Sequence, residues 1–398
     1  MNVNFCTGNS KQQKMTFWNN SGGIFMLGFI LFIFLTLQSC NKQPDKRELP
    51  VINLNSISAI NDSITLSLDD LGWKEKLIPL ETNDSCLLAD ISVICESINN
   101  YWIVSNGEVL KFDKEGRYDR RIGKVGQGPE EYGSAYKIQL DKKAEEVYVM
   151  DYFGRKMVVY DFNGKFIRTF RLPEKEFMAN FSLYGNTLYY HGIENSLIPT
   201  LLAEDIKTRK METICSPDRE MEVGEIMLGN SFMSEVNDEI FLYHYFNDTI
   251  YRITPEKKLE AAGFINMKNL MFVYDEIILV GDKTAKMKQG GPRVLVDNFV
   301  NTDNLFFVFY RLCDEMAAGA NSSPHLAVYD KISKKEYTNV ALLHSAEPAL
   351  SIRNTSKLFS ADGKRIISYI QAGALAETDL VPGIKEDDNP ILVIYYKE

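Results

Sequence analysis

DKKAEEVYVMDYFGRKMVVYDFNGKF, residues 141–166, is the stretch whose reading decides the fold. A polar turn from Asp141 to Glu146 leads into the alternating run Val147-Tyr148-Val149-Met150. A short loop then leads to a second run, Met157-Val158-Val159-Tyr160, which ends at Asp161. Asn163-Gly164 marks a tight hairpin into a third strand, because both turn positions need positive φ and these two residue types tolerate it. β-Branched and aromatic residues at period two read as half-buried strands rather than as helix.

The same unit recurs on both sides. Before it come Asn99-Asn100, Tyr101-Trp102-Ile103-Val104 and Glu108 to Asp113. After it come Leu188-Tyr189-Tyr190 with Leu201 to Asp205, and Ile240-Phe241-Leu242-Tyr243 with Asp248 to Ile253. Leu305 to Phe309 with Leu326 to Asp330, and Ile366 to Ile370 with Ile391 to Tyr396, complete the series. The leading strands begin near 101, 147, 188, 240, 305 and 366, a spacing of roughly 40 to 65 residues, near the period of propeller blades. A shorter strand precedes each turn, as in Tyr136 to Leu140, which makes four strands per unit. The expected fold is an all-β, six-bladed β-propeller of four-stranded antiparallel blades. Radial repetition of this kind leaves only short, protected strand edges. The last unit lacks an outer strand, so an N-terminal strand is expected to close the ring, either Val51 to Leu54 or Ile64 to Leu68. Asp69 to Leu77 reads as one helical turn.

Ile24 to Leu37 is an apolar run preceded by Lys11 and Lys14. It is shorter than the roughly 20 residues of a spanning helix and has the length of a signal-peptide core. It ends in Leu37-Gln38-Ser39-Cys40, which resembles the bacterial lipobox, with Cys40 as the lipidated residue. The expected organisation is therefore a lipoprotein signal peptide over 1–39, the lipidated Cys40 and a tether over 40–48, and the propeller over 49–398. Acyl chains supply about 0.8 kcal/mol per buried methylene, enough when several are present to hold a soluble domain on a bilayer. Asn41 to Arg47 has no acidic run, so the expected location is the outer membrane of a bacterial envelope, on the periplasmic face rather than the surface.

The chain has 398 residues and a formal charge of -10, with no Lys/Arg-rich block, which argues against nucleic acid as a partner. The six cysteines form no CxxC pair. Cys86 and Cys95 read as small buried residues, a disulfide between them being the alternative.

Residues 112–133, FDKEGRYDRRIGKVGQGPEEYG, resemble the hallmark segment of the six-bladed β-propeller lipoproteins common in Bacteroides-type bacteria, distant relatives of NHL-repeat propellers. Asn247 to Ile253 is similar to a second stretch of that family. The resemblance covers Leu49 to Glu398. It implies fold and export and brings no settled activity, since one fold hosts many functions.

The most pointed local sequence is Gly126 to Tyr132, between two blades. One reading presents Gln127, Glu130 and Tyr132 to a ligand at the channel mouth. The other makes the loop an inter-blade latch whose carboxylates pair with the nearby arginines, Arg120 and Arg121, which with Lys124 stand just before it. No Lys-Ser/Thr follows the glycines, so it is not a phosphate loop. Asp151-Tyr152 and Tyr243-His244-Tyr245 follow the leading strands and share the rim with that loop. An aromatic and acidic rim suits a sugar or a peptide. His191 and His244 lie one residue out of register, and strand alternation then points them to opposite faces, against a shared metal site. Residues 311–324 and 372–389 form long loops. The acids of the second, Glu377, Asp379, Glu386, Asp387 and Asp388, lack EF-hand spacing. No metal and no cofactor are expected.

The leading reading is an envelope-anchored binding or assembly module for a protein, peptide or glycan. The alternative is a metal-dependent lyase or lactonase-type propeller enzyme. A purely structural lipoprotein subunit is a third.

Overall fold

The computed structural model describes residues 49–55, 64–174, 180–192, 200–216, 232–236, 239–244, 247–271, 277–280, 284–287, 293–313, 325–343, 359–360 and 363–397. Six small antiparallel sheets form the six blades of a β-propeller. Blade one comprises Ile91–Glu96, Asn100–Ser105, Glu108–Asp113 and Tyr118–Ile122 from axis to periphery. Blade two comprises Lys137–Asp141, Glu146–Asp151, Lys156–Asp161 and Phe166–Arg171. Blade three comprises Asn180–Tyr184, Thr187–His191, Leu201–Asp205 and Met211–Cys215. Blade four begins with Phe232–Val236, Glu239–Tyr243, Thr249–Ile253 and Leu259–Asn266. Blade five has Arg293–Asn301, Leu305–Cys313, His325–Asp330 and Glu336–Tyr337. Each inner strand neighbours the next, and that of blade six, Phe359–Ser360, neighbours that of blade one, so the ring closes.

Recurring chemistry builds the blades. The aspartate that ends the third strand accepts backbone N–H groups of its own hairpin turn. Asp113 accepts from Glu115 and Arg117, and Asp161 from Asn163 and Lys165. Asp205 accepts from Lys207 and Thr208, and Asp330 from Ile332 and Ser333. These are Asx-type turns, in which the side chain stands in for a backbone acceptor. In blades one to four the register of the third and fourth strands slips once, near the end of the third strand in blades one and two and at its start in blades three and four. Such bulges increase local twist, which the outer strands of a propeller need.

The apolar cores lie between blades. Trp102, Val104, Tyr132, Ile138 and Val149 fill the gap from blade one to blade two. Phe307, Val328, Val393 and Tyr395 join blade five to blade six. Among the described residues, the core between blades three and four has five buried apolar members, Tyr189, Leu201, Ala203, Ile240 and Ile253. That junction is where polar groups enter the interior.

Closure by an N-terminal strand holds, but through another segment than the two expected. Lys74–Pro79 forms the outer strand of blade six, with Leu77 opposite Val393 beside Ile391–Tyr396 and Arg365–Ile370. Val51–Asn53 instead runs parallel to Leu259–Asn266 as a fifth strand of blade four, and Ile64–Ser67 runs parallel to Val340–Leu343. Only Asp69–Leu71 is helical, as a 3-10 turn ending at Gly72. The closing strand carries Lys74, Glu75 and Lys76 because a peripheral strand buries little. Its charges hide the period-two signal and suit an edge.

Cys86 and Cys95 are not bonded to each other. The Cys86 thiol donates to the Glu81 carbonyl at 3.1 Å and that of Cys95 to the Ile138 carbonyl at 3.6 Å. The loop over 372–389 packs as a cover, with Leu375 and Val381 buried against the core of blades five and six. Its acids face outward, and Asp388 accepts the Lys385 N–H at 2.8 Å.

Candidate functional site

The inner strands of the propeller begin at one rim, here called the upper rim. The turns between second and third strands lie at the same end, since adjacent strands are antiparallel. Two groups of side chains stand out there.

The first surrounds the loop from Gly126 to Gly133. Glu131 turns back on the loop, accepting the Gly128 N–H at 2.9 Å and pairing with Lys124 at 3.2 Å. The Gly128 N–H, then Lys124, hold its carboxyl below the usual range. A Cβ at Gly126 would lie 2.0 Å from the Glu131 carboxylate, so any side chain there would push that carboxylate from its place. Arg120 and Arg121 pair elsewhere, with Asp119 at 3.0 Å and Glu108 at 3.2 Å. The expected pairing with the arginines is therefore replaced by one with Lys124.

Tyr132 differs from its expected place on the rim. It is fully buried, its hydroxyl donating to the Ile122 carbonyl at 2.8 Å and accepting the Val109 N–H at 3.2 Å. An aromatic ring gains more from the inter-blade core than from water, provided its hydroxyl finds partners, and here it does. Asp151 is likewise buried. It accepts the Gly133 N–H at 2.7 Å and the Gly154 N–H at 2.9 Å, tying the loop to blade two. Gln127 and Glu130 stay exposed outside this latch.

Beside them lies an aromatic cluster. Tyr136 packs on Tyr152 with ring centres 5.2 Å apart, and Tyr152 meets Phe153 edge-on at 5.4 Å. Phe153 is 80% exposed and Tyr136 43%. A folded chain rarely leaves a phenylalanine so open in a cluster without a use for it. Tyr152 was legible in the sequence; Tyr136 and Phe153 were not singled out, although the pair Tyr152-Phe153 in a turn is itself a signal.

The second group lies at the axis. Lys137 opens the inner strand of blade two and donates to the Asn180 side-chain oxygen of blade three. Glu235 of blade four accepts the Leu183 N–H of blade three at 3.3 Å. Cys95 of blade one, Lys137 and Glu235 all feel one another's charge, so they converge near the axis. Burial lowers Lys137 to about 8 against the opposing pull of Glu235, raises Glu235 against Lys137, and pushes Cys95 up to about 12. All three keep partial exposure although they lie on innermost strands, which marks an open channel.

His191 and His244 meet at the upper end of blades three and four, ring centres 5.5 Å apart and edge to face. This corrects the expectation of opposite faces. His191 ends its strand, but His244 lies one residue past Tyr243, where the pleat no longer directs it. Both rings are fully buried, so His244 is not on the rim surface. Among the described residues neither ring nitrogen of His191 has a hydrogen-bond partner. Burial, then His244, then Lys137 hold His191 well below the usual imidazole range. Among the described residues no group of three or more His, Cys, Asp or Glu is placed to hold a metal ion. Tyr245 and Cys40 lie outside the described residues.

With this geometry established, a family model described as a domain of unknown function, DUF4934, matches residues 49–396. The chain belongs to the DUF4934 family. No curated protein matches it. Among solved structures, this DUF4934 chain is similar to a Bacteroides fragilis protein described as exported, at 18% identity and TM-score 0.62, covering 87% of this chain and 99% of that one. A DUF4221 member from Bacteroides vulgatus gives 11% identity and TM-score 0.48 over 81% and 96%. A catalytically inactive form of virginiamycin B lyase from Staphylococcus aureus gives 11% and 0.40 over 82% and 100%. The first likeness shows a shared fold; the other two are too distant in backbone to bear on function.

Proposed function

We propose that this DUF4934 protein is a ligand-binding module of the bacterial cell envelope, held by lipid on Cys40, that engages a protein, peptide or glycan through its upper rim. The observation that carries this reading is the exposed cluster of Tyr136, Tyr152 and Phe153 beside Gln127 and Glu130. The latch below it, from Glu131 and Asp151, makes the rim stiff, so binding orders few new groups. Flat rings offer area to a sugar face or an apolar side chain, and Gln127 and Glu130 offer hydrogen bonds. The test compares the intact protein with Tyr152→Ala and Phe153→Ala on glycan and peptide arrays. A ligand retained by wild type and lost by both variants, with unchanged circular dichroism, supports the reading; arrays bound alike by all three proteins refute it. Export and lipidation are tested separately, by Cys40→Ala and fractionation of labelled envelopes.

A lyase-type enzyme is the second reading, favoured by the convergence of Lys137, Glu235, His191 and His244 at the axis. Stoichiometric metal in purified protein, with turnover lost in Glu235→Gln, would support it.

A further inference from the structure

Among the described residues, those at the upper mouth of the channel contrast in charge with the acidic chain as a whole. The chain carries -10 overall, yet the inner strands of blades two and five open on Lys137 and Arg293, and two imidazoles stand over blades three and four. Among the described residues, Asp151 and Glu235 are the acids near these groups, and both have partners. Asp151 holds the N–H groups of Gly133 and Gly154, and Glu235 lies deeper in its strand with one oxygen on the Leu183 N–H. Lys137 uses one of its three N–H bonds, on Asn180.

An independent observation points the same way. His191 is completely buried, feels the charge of Lys137, and has two ring nitrogens without any partner among the described residues. Buried polar atoms in native folds are nearly always satisfied, and an exception calls for a missing water, ion or ligand group. A bound cation is disfavoured by the neighbouring ammonium. An anion is favoured by direct contact with the Lys137 ammonium, and the neutral imidazole of His191 has one N–H to donate to it.

We infer that the upper channel mouth is a binding subsite for a carboxylate group, with Lys137 as its charged donor and His191 as the buried imidazole beside it. Lys137 follows Tyr136 directly in the chain, so a ligand on the exposed rings can reach the mouth with an acid group. The charge site nevertheless stands without the rim reading. Two sources offer this chemistry, a sugar acid and the C-terminus of a peptide. The titratable and charged groups around the site are Lys137 and Asp151 of blade two, Cys95 of blade one, His191 of blade three, Glu235 and His244 of blade four, and Arg293 of blade five. With Lys137 near 8, affinity falls as the pH rises through that value.

The test reads Lys137 directly. Lysines of the full-length protein are dimethylated with carbon-13, which preserves their charge, and the Lys137 signal is assigned by its loss in Lys137→Arg. Acetate is then titrated against matched chloride. A saturable shift of that signal, stronger below pH 8 than above it, is expected; a signal that acetate leaves unmoved overturns the inference. In a second arm galacturonate is compared with galactose, and N-acetyl-dialanine with its amide. The acid of one pair should bind about tenfold more tightly, as a charge-assisted hydrogen bond implies, and Lys137→Met should abolish the preference. No preference in either pair overturns the inference. Phe153→Ala keeps the acetate response even where it ends binding at the rim, so failure of one reading is distinguishable from failure of the other.

Discussion

The Asp151 carboxylate accepts the Gly133 N–H at 2.7 Å, and through that bond the loop leaving blade one is fastened to the second strand of blade two. Its other oxygen takes the Gly154 N–H at 2.9 Å, and a Cβ at Gly154 would lie 2.3 Å from the carboxylate. Asp151→Ala leaves two sheltered donors without an acceptor and should cost about 1–3 kcal/mol each at most. Urea unfolding measures this; a midpoint equal to wild type would show that the fastening is dispensable.

Tyr132→Phe keeps the ring in the core and removes only the hydroxyl that serves Ile122 and Val109. The expected loss is about 1–2 kcal/mol, with ligand binding at the exposed rings unchanged. A binding defect without a stability defect would return Tyr132 to the list of ligand contacts.

Glu96 of blade one is almost wholly buried, bonds Arg365 of blade six at 2.7 Å and pairs with Lys114. Removing one partner of such a group strands a charge, so Arg365→Ala should destabilise by about 1–3 kcal/mol, less than a fully dry pair because Arg365 is partly exposed. Double replacement Glu96→Gln with Arg365→Ala should recover part of that loss. Thermal melts of the three variants check it.

His191 is held neutral in the fold, with a folded-state pKa well below its ordinary value. The unfolded chain therefore binds a proton that the native state refuses once the pH drops below about 6.5. Stability from this group is complete above that pH and declines as the solution is acidified. Melting temperatures taken from neutral to about pH 5 should fall, and His191→Gln should flatten the slope. An unchanged slope in that variant assigns the acid response elsewhere.

Much of the ring was readable because each blade repeats local chemistry. Asn163-Gly164 announces its hairpin, and the aspartates at 113, 161, 205 and 330 mark the ends of third strands. The closing strand was not readable, since Lys74-Glu75-Lys76 on a peripheral strand shows no apolar alternation. The axis was harder still. Lys137, Asn180 and Glu235 lie in three different repeats, and nothing local in any one of them states that the others point the same way. Tyr132 shows the converse: a conspicuous loop tyrosine looked like a contact residue, and the neighbouring blade had already claimed it.

Lys74–Pro79 pairs with Ile391–Tyr396, so two stretches more than three hundred positions apart in the chain must meet before the last sheet exists. A polypeptide leaving the ribosome is thus an open arc until Ile391–Tyr396 emerges, and non-local pairings of this kind form slowly. That delay leaves the last sheet unmade while the sheets of blades one to three can already form. It also makes the joint between those two strands the place where forced unravelling would start.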